Sequence, residues 1–243
     1  MSPADGRPGG AIRFRTLRAV LFDLDGTLAD TAPDLAKAAN AMRSLRGLAP
    51  LPLASLRPFA SQGARGLLHV ALDKAPEDPD YEALRDEFLS AYGKTSYRDS
   101  ALFEGMPELL DQIETLGLQW GIVTNKIGRF TTPLVERLGV SRRAAVVVSG
   151  DTTAHSKPHP APLQHAAASM GLAPSSCVYV GDDLRDVHAA HAAGMRVVAA
   201  SYGYCGASEV EHWEADAIIA SPGELPAVLI GLDAVAAVRH AQC

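Results

Sequence analysis

The chain has little cysteine, few aromatic residues, no excess of basic charge and no long apolar run, and each shortage removes a class of protein. Only three cysteines, Cys177, Cys205 and Cys243, occur among 243 residues. Their spacing suits neither a zinc site nor a disulfide framework, and it points to a reducing, cytoplasmic setting. Lys and Arg number 22 against 28 Asp and Glu, a formal charge of −6. That balance argues against a nucleic-acid partner, whose phosphates demand a basic surface. No apolar stretch approaches the roughly 18 residues that span a bilayer, and the region before Arg18 lacks the apolar segment of a signal peptide. A membrane partner is therefore not expected either. The composition, 47% hydrophobic and 21% charged, is that of an ordinary globular chain; a monomer or homodimer is expected.

Residues 1–17 read as a flexible leader, because Pro3, Pro8, Gly9 and Gly10 discourage regular structure. Ala19-Val20-Leu21-Phe22-Asp23 is a buried-strand run that ends in a carboxylate. Leu35, Ala38, Met42 and Leu45 then form a helical stripe that Gly47 stops, and Tyr81, Leu84, Phe88, Leu89 and Tyr92 form another. Beyond Phe103 the texture changes to strand-length runs alternating with amphipathic helices. Strands are expected at Trp120–Thr124, Ala145–Ser149, Val178–Val180, Arg196–Ala200 and Ala217–Ala220, and helices at Phe130–Leu138, Pro162–Met170 and Leu184–Ala193. Such alternation implies βαβ units and a parallel sheet covered on both faces. The expected organisation is an α/β core over 18–30 and 101–243, interrupted by an all-helical segment over 31–100.

In open α/β sheets ligands bind outside the carboxyl ends of the strands, so the polar residues that follow each strand are the candidates. In extended backbone, side chains two apart share a face; Asp23 and Asp25 can converge while Leu24 enters the core, and Gly26 permits a turn. Thr124 and Asn125 follow the second strand and offer neutral donors. Lys157-Pro158 supplies a point charge. Gly181-Asp182-Asp183-Leu184-Arg185-Asp186 adds acids between strand and helix, one of which serves as a helix cap. Separately, each element is ordinary loop chemistry. Together, carboxylates from two strand ends make the all-oxygen site that Mg²⁺ prefers. Two like charges about 4 Å apart repel by roughly 4 kcal/mol at an effective dielectric of about 20. A cation with Lys157 would neutralise Asp23, Asp25 and Asp182 and leave capacity for a phosphoryl group.

These motifs, in this order, resemble the haloacid dehalogenase superfamily of aspartate-dependent phosphatases: Asp-x-Asp-Gly-Thr at 23–27, Thr124 at a strand end, Lys157-Pro158, and Gly-Asp-Asp-x-x-Asp at 181–186. The likeness runs from about Leu17 to Ile230. It implies a Rossmann-like three-layer core with a small helical cap inserted between the first two motifs. It further implies that Asp23 attacks phosphorus and that Asp25 acts as general acid and then base. Thr124 and Lys157 would hold the transferring oxygens. Mg²⁺ would sit between Asp23, the backbone carbonyl of Asp25, and Asp182, while Asp183 and Asp186 stay open as ligand, water-mediated ligand or partner of Lys157.

Asp25 separates the chain from the superfamily's dehalogenases and phosphonate hydrolases, which lack an acid there. A sugar phosphomutase would keep it, and a non-catalytic phosphate-binding protein is the alternative outside enzymes. Within the phosphatases the chain is similar to the phosphoglycolate phosphatase group and its N-acetylmuramic acid 6-phosphate phosphatase relatives. The segments that carry this are 102–110, Trp120–Lys126, Val180–Asp186 and Tyr202-Gly203-Tyr204. Both substrates are small carboxylated phosphate esters. Arg65, in the glycine-flanked Gly63-Ala64-Arg65-Gly66, is the expected grip on the carboxylate, against a reading as a surface arginine. His155 and His159 read as loop residues, His188 and His191 as surface, Trp120 and Trp213 as packing, and Cys205 has no assigned role.

Overall fold

The structure, a computed structural model, describes residues 14–95, 97–205 and 210–240, with side chains as far as residue 235. Strand β1, Ala19–Phe22, is apolar throughout and fully buried. Its alternation decides which layer each side chain enters: Val20 and Phe22 join one face's core, Ala19 and Leu21 the other's. Around it lie β4 (Gln119–Val123), β5 (Val147–Val148), β6 (Cys177–Gly181), β7 (Arg196–Ala200) and β8 (Ala217–Ile219). The order is β5-β4-β1-β6-β7-β8, and every pairing is parallel. Helices cover both faces, as a parallel sheet requires. On one side α5 (Met106–Thr115) and α9 (Leu225–His240) pack through Met106, Leu109, Ile113, Leu225 and Leu229. On the other, α7 (Ala161–Ser169) and α8 (Leu184–Ala193) pack through Leu163, Ala166, Val187 and Ala190. Helix α6, Gly128–Arg137, follows β4. The α/β fold and parallel sheet are those expected.

Between β1 and α5 the chain leaves the sheet and returns. Ala29–Asp30 (β2) pairs antiparallel with Ala101–Leu102 (β3), so the outgoing and returning strands meet in a short ribbon. The chain between them is a helical insertion: α1 (Ala32–Leu45), α2 (Leu53–Leu56), a 3₁₀ segment (Arg57–Gln62), α3 (Gly63–Leu72) and α4 (Tyr81–Lys94). Pro33 and Asp34 in the first turn of α1 suit a helix start. Its buried face is the expected stripe of Leu35, Ala38 and Met42; Leu45 is exposed. Leu67, Leu68, Phe88 and Tyr92 from α3 and α4 complete that core.

The expected leader over 1–17 falls outside the described residues as far as 13. Leu17 is fully buried, and Asp233 in α9 accepts hydrogen bonds from the backbone amides of Arg15, Thr16 and Leu17 at 2.7 to 2.8 Å, plus the Thr16 hydroxyl at 2.7 Å. Burial opposes ionisation of Asp233, but those four donors outweigh it and hold its pKa at about 2. A depressed carboxylate contributes stability above its ordinary pKa and loses it as pH falls through the folded value. Asp233→Ala should therefore cost about 2 kcal/mol at neutral pH in urea titrations. The deficit should shrink between about pH 4 and pH 2; a deficit independent of pH would contradict this account of the N-terminal tether.

Candidate active site

The loops after β1, β4 and β6 converge at one end of the sheet. The backbone of Asp23 continues the ladder, donating to the Val180 carbonyl at 2.8 Å. Its Oδ1 accepts from the Leu24 amide at 2.7 Å and pairs with Lys157 Nζ at 2.9 Å. Oδ2 has no partner among the described residues and remains open. Gly26 follows at φ +89°, where a Cβ would lie 2.2 Å from Asp182 Oδ2. Only glycine lets the loop turn there and the acid of β6 approach so closely.

Asp182 is fully buried. It accepts from the Thr27 hydroxyl at 2.8 Å, the Tyr204 amide at 2.9 Å and the Ser61 hydroxyl at 3.3 Å. Asp183 is the N-cap of α8: it accepts from the Arg185 amide, and Asp186 returns the bond to the Asp183 amide. Asp183 also grips the Arg185 guanidinium at 2.7 and 2.8 Å, and the Arg185 guanidinium reaches the Ser61 carbonyl of the insertion at 2.8 Å. Asp186 faces inward and pairs with Lys157 Nζ at 2.7 Å. Of the two acids left open by sequence, Asp183 caps α8 and Asp186 pairs with Lys157, and both line the cavity described below.

Lys157 is buried with all three N–H groups committed, to Asp23, Asp186 and the Tyr179 hydroxyl at 2.7 Å. Burial works against its charge, but Asp186 and Asp23 outweigh burial and hold its pKa above the ordinary value. Tyr179 in turn donates to the Val123 carbonyl at 2.8 Å, fixing the lysine to the strand ends. Asn125 braces the loop that carries Lys157. Its side-chain oxygen accepts from the Lys157 amide and its nitrogen donates to the Lys157 carbonyl, each at 2.9 Å. It pins the lysine loop to the end of β4. Thr124, buried beside it, accepts from the Lys126 amide at 3.1 Å.

Carboxylate oxygens of Asp23, Asp182 and Asp186 lie within 4.8 Å of one another. At that separation each charged pair repels by about 3 kcal/mol at an effective dielectric of about 20. The electrostatics register the strain. Burial pushes Asp23 up to about 7 against the pull of Lys157, and burial followed by repulsion from Asp23 and Asp186 pushes Asp182 well above the carboxylate range. Crowded, buried oxygen donors with one lysine for three acids fit a hard divalent cation. The set adds Asp186 to the expected Asp23 and Asp182, and the ligand expected from Asp25 is its backbone carbonyl. The Asp25 side chain points elsewhere, pairing with Lys126 Nζ at 2.9 Å and accepting from the Thr31 hydroxyl.

Asp23, Asp25, Thr124, Asn125 and Lys157 all line one cavity of 290 Å³, to which the insertion contributes the facing wall. Arg65 and Arg85 contribute its outer wall, and Phe88, Tyr92 and Phe130 an apolar side. Of the residues expected to act in catalysis, substrate binding or metal binding, Asp182 alone is not in its lining; it lies behind Asp23. Lys126 and Tyr92 were not foreseen: a lysine after a Thr-Asn turn has no pattern to set it apart from a solvated one. His155 and His159 are exposed, with rings 4.3 Å apart and tilted by 31°, and Trp120 is core.

Comparison with known proteins agrees with this architecture. Residues 20–200 match the family model of the haloacid dehalogenase-like hydrolases. A phosphoglycolate phosphatase of Xanthomonas campestris pv. campestris is 48% identical over 216 residues, 87% of this chain and 96% of that protein. An N-acetylmuramic acid 6-phosphate phosphatase of Pseudomonas aeruginosa is 44% identical over 214 residues, 88% of this chain and 95% of that protein. Among solved structures, a predicted phosphoglycolate phosphatase from Haemophilus somnus 129PT superposes with a TM-score of 0.77 at 27% identity, covering 88% of this chain and 98% of that one. Strand-end acids, buried lysine, helical insertion and sequence likeness over most of its length agree: the chain belongs to the haloacid dehalogenase-like hydrolase family.

Proposed function

We propose that the protein is a Mg²⁺-dependent phosphomonoester hydrolase that works through a phosphorylated Asp23. Its substrate is a small carboxylated phosphate ester of the kind handled by its relatives, 2-phosphoglycolate or N-acetylmuramic acid 6-phosphate. The gathering of Asp23, Asp182 and Asp186 against Lys157, at the mouth of the sheet and the floor of a cavity, carries this reading. Asp23, Asp182, Asp186 and the backbone carbonyl of Asp25 are the candidate ligands. The ion, when bound, neutralises their charge and polarises a phosphoryl oxygen.

The open Oδ2 of Asp23 attacks phosphorus, forming an O–P bond as the ester P–O bond breaks. Asp25 gives its proton to the departing alkoxide. Water then attacks the aspartyl-phosphate, its proton passes to Asp25, and the Asp23–P bond breaks to release phosphate and restore the carboxylate. Thr124 lines the floor where the transferring oxygens must sit, and Lys157 supplies positive charge beside Asp23. Asn125 and Tyr179 act through Lys157 as positioning residues.

Arg65, exposed at the rim, suits a carboxylate remote from the ester. Arg65→Ala should raise KM for N-acetylmuramic acid 6-phosphate at least about tenfold more than for p-nitrophenyl phosphate. Equal changes on both would remove Arg65 from the substrate site. The substrate itself is tested by kcat/KM on 2-phosphoglycolate and N-acetylmuramic acid 6-phosphate with Mg²⁺. A hundredfold preference, about 2.7 kcal/mol in transition-state binding, names it; Mg²⁺-dependent turnover of neither, nor of p-nitrophenyl phosphate, would overturn the reading.

A further inference from the structure

Lys126 lies inside the cavity and takes no part in the two displacements. It differs from Lys157 in what its ammonium has left to give. Lys157 spends three donors on three oxygens. Lys126 Nζ makes one ion pair, to Asp25 at 2.9 Å, and otherwise sits 4.8 Å over the face of the Tyr92 ring. It therefore retains donor capacity toward the cavity, while its side chain is only 9% exposed. Its position is fixed from both sides: the Tyr92 ring is held edge-on by Phe130 at 5.3 Å and Tyr97 at 5.4 Å.

Tyr92 stands beside that ammonium and interacts with it. It is 1% exposed, lines the same cavity, and its hydroxyl makes no close hydrogen bond to any described residue. A buried hydroxyl without such a bond is costly and is normally satisfied by protein, water or ligand. Both groups stand beside Asp25, the residue that meets the ester oxygen. By ordinary bond lengths, a carboxylate on the carbon that bears the ester oxygen puts an oxygen about 3 Å from it, a span like that from Asp25 to Lys126.

We infer that Lys126 Nζ and the Tyr92 hydroxyl form a subsite for a carboxylate on the ester-bearing carbon, which selects phosphate esters of 2-hydroxy acids. The inference rests on the hydrolase reading and deepens it. In 2-phosphoglycolate the carboxylate occupies that position. In N-acetylmuramic acid 6-phosphate it hangs from a lactyl ether remote from the 6-ester, where rim arginines and not Lys126 would meet it. Lys126 is thus a specificity-determining residue that favours the first substrate.

The test compares kcat/KM for 2-phosphoglycolate and glycerol 1-phosphate, two alkyl esters with equal need of Asp25, one with the carboxylate and one without. Lys126→Met should lose at least about 30-fold more on 2-phosphoglycolate than on glycerol 1-phosphate, chiefly in KM, and Lys126→Arg should recover part of that difference. Tyr92→Phe, which keeps the ring and removes one oxygen, should shift the same ratio about three- to tenfold, and it carries the test if Lys126→Met does not fold. Equal losses on both esters would overturn the subsite and leave Lys126 as a partner of Asp25 alone. A wild-type enzyme that releases no phosphate even from p-nitrophenyl phosphate would overturn the hydrolase reading, and the subsite with it.

Discussion

Asp23→Asn should remain folded and lose at least about three orders of magnitude in kcat. An amide of the same shape cannot form the bond to phosphorus, so no rearrangement of the other groups restores the first displacement. The fold should tolerate the change for reasons visible in the site. Asn still offers an oxygen to the Leu24 amide, and Lys157 keeps Asp186 and the Tyr179 hydroxyl. The substitution also removes a charge that burial already disfavours, since burial pushes Asp23 up to about 7. The metal-free variant should melt no lower than the metal-free wild type at pH 8. Turnover above about 1% of wild type in that variant would refute covalent catalysis through Asp23.

Chelation should abolish turnover, and the pH dependence of metal binding has a definite sign. A carboxylate whose folded pKa is raised from 3.8 to about 7 prefers its protonated form in the folded state. Stability from that group is therefore greatest below the unfolded pKa and declines as pH rises through the folded one. Asp182, pushed up by burial and by its acidic neighbours, acts in the same direction. A divalent cation binds the ionised forms, so its binding releases protons and tightens with pH. The apparent Mg²⁺ affinity should rise steadily from pH 5.5 to pH 8. The gain in Tm on adding Mg²⁺ should be several degrees larger at pH 8 than at pH 5.5 (about 1 kcal/mol shifts Tm by 2–4 °C in a chain of this size). A Tm gain independent of pH, or turnover unaffected by EDTA, would contradict the acidic cluster as a metal site.

What the sequence disclosed follows from burial. Strands β1, β4, β6 and β7 are almost wholly buried, so their apolar runs have no other explanation and could be read directly. The edge strand β5 spans only Val147 and Val148 of the expected Ala145–Ser149, although the Ala145 amide and the Val146 carbonyl already bond to β4. Helix α9 carries apolar residues on most sides, from Leu225 through Leu232, Ala234 and Val235, and so has no stripe for periodicity to find. Helix α5 was within reach: Gly105, then Pro107, then Leu109, Leu110 and Ile113 form a start signal followed by a buried face.

In the site, the acids and Lys157 were legible because they stand at strand ends in a recognisable order. Their division of labour was less so. The spacing of Asp183 and Asp186 matches a capping box and could have assigned Asp183 to the helix, leaving Asp186 for Lys157. No such signal marks Tyr92, whose hydroxyl becomes notable only when α4 is folded over the sheet and leaves it without a close hydrogen bond to any described residue. The bracing bonds of Asn125 carry no local signal because they depend on Lys157, 32 residues further along the chain.

The central claim is that Asp23 carries the phosphoryl group between substrate and water. The most direct measurement is rapid acid quench of the wild-type enzyme during turnover with Mg²⁺, followed by mass spectrometry of the peptide that contains Asp23. The account predicts a peptide heavier by one phosphoryl group, with the modification on Asp23 and absent when substrate is omitted. Phosphorylation of any other residue during turnover would contradict it.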